Sequence, residues 1–165
     1  MSTSAIPESV PTIRPKEFHF PVAVDWIGGR RVAARVEGKP AIEIAPPPAF
    51  RGTDPELWSP EDFLVAAAGS CLAITFTGLA AREDVAYENL RVEADGVAGR
   101  RRDGRFGFTR ICLHMSARGP DVGAIERLAR KAEESCLVSV SLDLPVELEV
   151  DVGYAPGERS SAATP

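Results

Sequence analysis

Cysteine, histidine and net charge are all scarce in this chain, and each scarcity closes off a class of function. Three cysteines in 165 residues cannot make a disulfide scaffold, and the odd count leaves one unpaired. His19 and His114 stand far apart, and no Cys-x-x-Cys spacing accompanies them, so no metal site and no bound cofactor are expected. A net charge of −5 offers no basic surface, and no nucleic-acid partner is expected. The opening MSTSAIPESVPTIRPKEF has no apolar segment and does not read as a secretory leader. A reducing cytoplasm is therefore the expected setting, where a disulfide is more often catalytic or regulatory than structural.

What the chain does have is an ordinary globular balance, 44% hydrophobic and 26% charged, and enough length for one domain with a substantial core. Its most unusual passage is Phe63 to Ala81, nineteen residues without one Asp, Glu, Lys or Arg. Such a run is either a membrane span or a helix buried on all sides. Eleven of the nineteen are Ala, Gly, Ser or Thr, which keeps the expected hydropathy modest. The flanks, Glu61-Asp62 and Arg82-Glu83-Asp84, carry no basic bias. A buried helix fits better, and no membrane association is expected.

Residues 1–15 and 155–165 are polar, aperiodic and rich in Pro or Ser, which predicts flexible tails around a single domain over 16–154. Phe18 to Ile44 reads as three short strands, with Gly28-Gly29 as a hairpin turn. The prolines from Pro46 to Pro55 predict an irregular surface loop carrying Phe50 and Arg51. Ser59-Pro60-Glu61 then opens a helix, with a Ser cap, Pro at the first position and acids in the first turn. Two strand patterns, Tyr87 to Val97 and Phe106 to Arg118, meet at an Asp103-Gly104 turn. A second helix starts at Pro120-Asp121 with Ile125, Leu128, Ala129 and Ala132 on one stripe, and a last strand alternates from Leu144 to Val152. The order βββ-α-ββ-α-β predicts an α+β fold with an antiparallel sheet wrapping two central helices. One small sheet cannot cover an all-round apolar helix, so a second copy is expected to do so, as a homodimer.

Two of the cysteines fall on these helices. Cys71 lies in the middle of the uncharged run, with small or polar neighbours: Ala67, Ala68 and Thr75 one turn away, Gly78 two turns away. Cys136 follows Ile125 by eleven residues, which returns it to within about 20° of the same helical stripe, facing inward. A buried thiol on each of two packed helices is either inert filling or a redox pair. Cys112, in a strand, alternates away from Ile111, Leu113 and Met115 and reads as packing.

The passages around these thiols resemble a known family. Ser59-Pro60-Glu61-Asp62-Phe63-Leu64, then Ala66-Ala67-Ala68-Gly69-Ser70-Cys71, and later Ala132-Glu133-Glu134-Ser135-Cys136-Leu137-Val138-Ser139, closely resemble the OsmC/Ohr family. The resemblance runs from about Phe18 to Val152 and implies an intertwined homodimer, with two long helices enclosed by strands from both chains. It implies a thiol-dependent peroxidase that reduces alkyl or lipid hydroperoxides to alcohols: Cys71 would be the peroxidatic thiol and Cys136 the resolving one. A Cys71–Cys136 disulfide would then be reduced by an external dithiol, of dihydrolipoyl type or on a lipoylated protein. Phe50, Phe63, Leu64 and Phe76 would supply apolar walls for the substrate.

A thiolate at Cys71 needs a cation, because burial alone raises a thiol's pKa. In the family, the acid corresponding to Glu61 holds an active-site arginine. Glu61 is ten residues from Cys71, about 15 Å along a straight helix, so a bent helix or a site shared between two copies is implied. Arg51, in the loop before the helix, is the first choice for that arginine; Arg30 and Arg31 are the alternatives. The chain departs from many relatives at Val140, where a polar or basic residue is common. Two other readings stay open: a dimer that binds a lipid or other apolar small molecule, and a redox sensor whose disulfide changes its shape.

Overall fold

The computed structural model describes residues 16–154; the tails expected at 1–15 and 155–165 lie outside the described residues. The elements are β1 (Ala23–Gly28), β2 (Arg31–Arg35), β3 (Ile42–Ile44), α1 (Pro60–Glu83), β4 (Glu88–Arg100), β5 (Phe106–Arg118), α2 (Val122–Glu134), α3 (Leu137–Ser141) and β6 (Val146–Gly153). Turn chemistry sets the first hairpin: Gly28 and Gly29 take φ of 125° and 57°, conformations that side chains with a Cβ avoid. The proline loop is irregular apart from one 3₁₀ turn at Pro48–Phe50, which ends with Arg51 in the left-handed region.

Helix α1 starts with the device its sequence announces. The Ser59 hydroxyl accepts from the Asp62 N–H while the Asp62 carboxylate accepts from the Ser59 N–H, a reciprocal capping box. The helix then runs unbroken for 24 residues and closes on Asp84, whose N–H donates to the Ala80 carbonyl. Its mean hydropathy reaches 1.9, long and apolar enough to cross a bilayer, so the expectation of modest hydropathy is corrected. One side of it nevertheless packs inside the protein. Ala68, Leu72, Phe76, Leu79 and Ala80 meet Ile111, Leu113 and Met115 of β5 and Ile125, Leu128 and Ala132 of α2. The core thus lies between one sheet and two helices.

One correction concerns the sheets. Among the described residues they are separate three-stranded units, β1-β2-β3 and β4-β5-β6. The second is mixed: β4 pairs antiparallel to β5, but β6 runs parallel to β5, from Ile111↔Val146 to Arg118↔Gly153. The pleat of β6 predicted its buried side and said nothing of its direction, which depends on the return path through α2. Alternation does hold on β5, where Ile111, Leu113 and Met115 are buried and Cys112 and His114 point outward.

The first sheet presents an apolar face of Val24, Trp26, Val32, Ala34, Ile42 and Ile44, aligned in register across its strands. Trp26 on that face is 74% exposed. Its strands connect to the rest through a bridge between Ile44 and Trp58, with the Ala45 N–H donating to the Trp58 carbonyl at 3.0 Å. On α1, Ile74 is 71% exposed in a stretch with Ser70, Gly78 and Ala81. In contrast, Leu128 has no exposure at all. Leu128→Ala is expected to cost about 2–5 kcal/mol through lost burial and a residual cavity. A urea midpoint unchanged at fixed protein concentration would show that α2 is not part of the central core.

Candidate functional site

Cys71 sits at the midpoint of α1, and the structure brings Cys136 close enough for the two thiols to influence each other. The route is not the expected one. Helix α2 stops at Glu134, so Cys136 does not lie on its stripe; it stands two residues beyond, as the N-cap of α3. The polar run Glu133-Glu134-Ser135 is the sequence signal that the stripe has ended. Cys136 still faces inward and has no exposure, while Cys71 is half-buried.

The environments of the two sulfurs differ. Burial pushes the Cys71 thiol above its usual range, and the hydrogen bond with Cys136 adds to the push; the Val138 backbone and the Thr75 side chain pull the other way. Burial also opposes ionisation of Cys136. There, however, hydrogen bonds from Cys71, from Ser139 and from the Val138 backbone outweigh it and bring the thiol below its usual range. The Ser139 N–H donates to the Cys136 sulfur at 3.4 Å, the cap bond of α3. These surroundings favour the thiolate at Cys136 and disfavour it at Cys71. The accessible sulfur, Cys71, needs a further cation to become the nucleophile.

The carboxylate and the arginines gather elsewhere, at the start of α1. Glu61 Oε2 is buried without a hydrogen-bond partner among the described residues. It borders a cavity of about 330 Å³ shared with Arg30, Val32, Ile44 and Phe50. Arg30 Nη1 donates to the carbonyls of Phe50 at 3.1 Å and of Arg51 at 3.3 Å. Arg51 contributes its backbone there, and its residue is exposed. Arg31 lies 3.9 Å from Glu43, on the strand pair. Because α1 is unbroken, Glu61 stays about 15 Å from Cys71 along the helix, and one chain does not bring the two together.

The four apolar residues are scattered as well. Phe76 is fully buried, its ring edge-on to Tyr87 at 5.0 Å, inside the core. Phe63 is half-buried and tilted against Trp58 at 5.3 Å. Phe50 meets Phe106 edge-on at 6.1 Å beside the Arg30 cavity, and Leu64 is half-buried on α1. Cys112 faces outward from β5, its sulfur 3.6 Å from Glu147 Oε2, so it packs against a carboxylate and not in the core.

Comparison with known proteins gives one family. A family described as OsmC-like protein matches residues 52–151, which spans α1, both thiols and most of β6. The uncharacterized protein YmaD of Bacillus subtilis is 28% identical over 148 residues, covering 86% of this chain and 97% of that protein. Among solved structures, an OsmC-like protein of unknown function from Vibrio cholerae aligns with a TM-score of 0.75 at 20% identity, over 82% of this chain and all of that one. An organic hydroperoxide resistance protein from Elizabethkingia anophelis aligns at 0.69 and 19%, over 85% of this chain and 100% of its own. The organic hydroperoxide resistance protein OhrB of Bacillus subtilis aligns at 0.63 and 21%, over 81% and 98%. At those identities the structural likeness is one of fold.

Proposed function

The chain belongs to the OsmC-like protein family, and from that premise we propose that it is a cytoplasmic, thiol-dependent peroxidase acting on organic hydroperoxides. The observation that carries this reading is the meeting of a half-exposed Cys71 with a fully buried Cys136. One sulfur is open to a substrate and the second waits behind it. That is the arrangement a two-cysteine cycle requires.

The Cys71 thiolate attacks the distal oxygen of the hydroperoxide. The S–O bond forms as the O–O bond breaks; the alkoxide leaves and takes a proton, giving the alcohol and a Cys71 sulfenic acid. The Cys136 thiolate then attacks the Cys71 sulfur, expelling hydroxide and closing the disulfide. An external dithiol, dihydrolipoamide or a lipoylated protein, restores both thiols by exchange.

Arg30, seated beside Glu61, is the cation best placed to serve Cys71, and the 15 Å along α1 argues that it serves the Cys71 of a second copy. An intertwined homodimer also accounts for the apolar face of the first sheet and for the exposed Ile74. The small residues Ser70, Gly78 and Ala81 let another helix approach α1 closely. Such a dimer makes α1 a core helix despite its hydropathy, with no membrane needed to cover it.

The direct test is a mass measurement. With a modest excess of cumene hydroperoxide, the protein is expected to lose two hydrogens, mapped by peptide analysis to a Cys71–Cys136 link, and to regain them with dihydrolipoamide faster than with thioredoxin. A chain that stays fully reduced would point instead to a dimer that holds an apolar small molecule.

A further inference from the structure

Ser139, beside Cys136, is a buried polar side chain that the peroxidase scheme leaves without a task. Only 7% exposed, it carries a hydroxyl oxygen that is buried without a well-aligned hydrogen bond among the described residues. Buried hydroxyls are seldom left unpaired, because nothing replaces the water they give up. This one stands against the Cys136 sulfur, to which the Ser139 backbone N–H already donates at 3.4 Å. A neutral thiol is a weak acceptor; a thiolate is a strong one. Ionisation of Cys136 turns that sulfur into a strong acceptor for the hydroxyl.

Resting on the peroxidase reading, we propose that Ser139 is a positioning residue for the resolving step, its hydroxyl and N–H together holding the Cys136 sulfur deprotonated and turned toward Cys71. Both flanks of Cys136 are pinned for this: its own N–H donates to the Glu133 carbonyl at 3.0 Å, and its carbonyl accepts from the Val140 N–H at 3.0 Å. In the step itself the Cys136 thiolate attacks the sulfur of the Cys71 sulfenic acid. The S–S bond forms, the S–O bond breaks, and hydroxide leaves to be protonated by solvent. The hydroperoxide has by then supplied the oxidising equivalents. Cys71 is the titratable side chain acting on Cys136 from α1; Glu133, half-buried, and Glu134, exposed, are the carboxylates next to it in sequence at the end of α2.

The experiment uses the full chain, rapidly mixed with cumene hydroperoxide and quenched with dimedone. In Ser139→Ala, oxidation of Cys71 keeps its wild-type rate, while disulfide closure slows about tenfold and dimedone-trapped Cys71 accumulates. Ser139→Thr restores closure and Ser139→Val does not, a comparison at equal side-chain volume that isolates the hydroxyl. In a Cys71→Ser, Cys112→Ser background, the thiolate absorbance of Cys136 titrates about one pH unit higher when Ser139 is replaced by Ala or Val. Unchanged closure together with an unchanged Cys136 titration would overturn the proposal. If the wild-type chain forms no disulfide at all, the peroxidase reading fails, and the Cys136 titration still decides what Ser139 does to the sulfur.

Discussion

Cys71→Ser is expected to reduce hydroperoxide turnover by about a thousandfold or more, to the level of the uncatalysed reaction. The substitution keeps nearly the same volume and keeps a hydrogen-bonding group beside Thr75 and Cys136, so the fold has no reason to change. What disappears is the only sulfur of the pair that a substrate can reach. Cys136 has no exposure and cannot substitute as the first nucleophile, although its environment favours its thiolate. A serine hydroxyl at position 71 remains protonated at neutral pH and forms no sulfenic acid. The measurement is peroxide consumption with dihydrolipoamide as reductant, run beside a denaturation curve. Turnover near wild type in a folded Cys71→Ser protein would refute the assignment of the peroxidatic thiol.

The second large effect separates the arginines. Arg30→Ala is expected to lower the rate on the order of a hundredfold at neutral pH, the scale of a pKa change from losing an adjacent guanidinium. Arg51→Ala should leave it close to wild type, because Arg51 offers Arg30 a backbone carbonyl, which alanine also has. The pH profile carries the sign. Thiolate is the reactive form, and burial and the Cys136 hydrogen bond hold Cys71 above its usual range unless a cation intervenes. Without Arg30 the thiolate fraction is small at neutral pH and grows about tenfold per pH unit up to that raised pKa. If Arg30 of a second copy serves Cys71 as proposed, the wild-type profile should be flatter over the same interval. A collapse in Arg51→Ala with Arg30→Ala unaffected would return the role to the loop residue.

The sequence made α1 plain because local and global signals agree there. The Ser-Pro-Glu-Asp start, the uncharged run and the terminal acids all specify one element, and the structure extends it only from about Arg82 to Glu83. The inward face of β5 was equally clear from its alternation. Cys136 was located on the correct side by the wrong argument: helical periodicity carried it past Glu134, where hydrogen bonding along α2 has ended. The direction of β6 was invisible, since a pleat has the same period whichever way the strand runs. The sequence offers Arg30 beside Glu61 only as an alternative to Arg51. Its placement there depends on the Pro46–Gly52 loop folding back, where any Cβ on Gly52 would collide with the Pro46 carbonyl, and no periodic signal reports such a turn.

The parallel pairing of β6 with β5 has a consequence for the thiols themselves. Two neighbouring strands pointing the same way cannot be joined by a tight turn; the chain between them must travel back over one side of the sheet. That return journey is α2 and α3, and α2 lies on the side occupied by α1. Everything along the route, Cys136 included, is delivered to the half of the molecule where Cys71 already stands. Their encounter is written into the path of the backbone before any side chain is chosen. Evolution could therefore tune the sulfurs' reactivity residue by residue without having to rediscover how to bring them together.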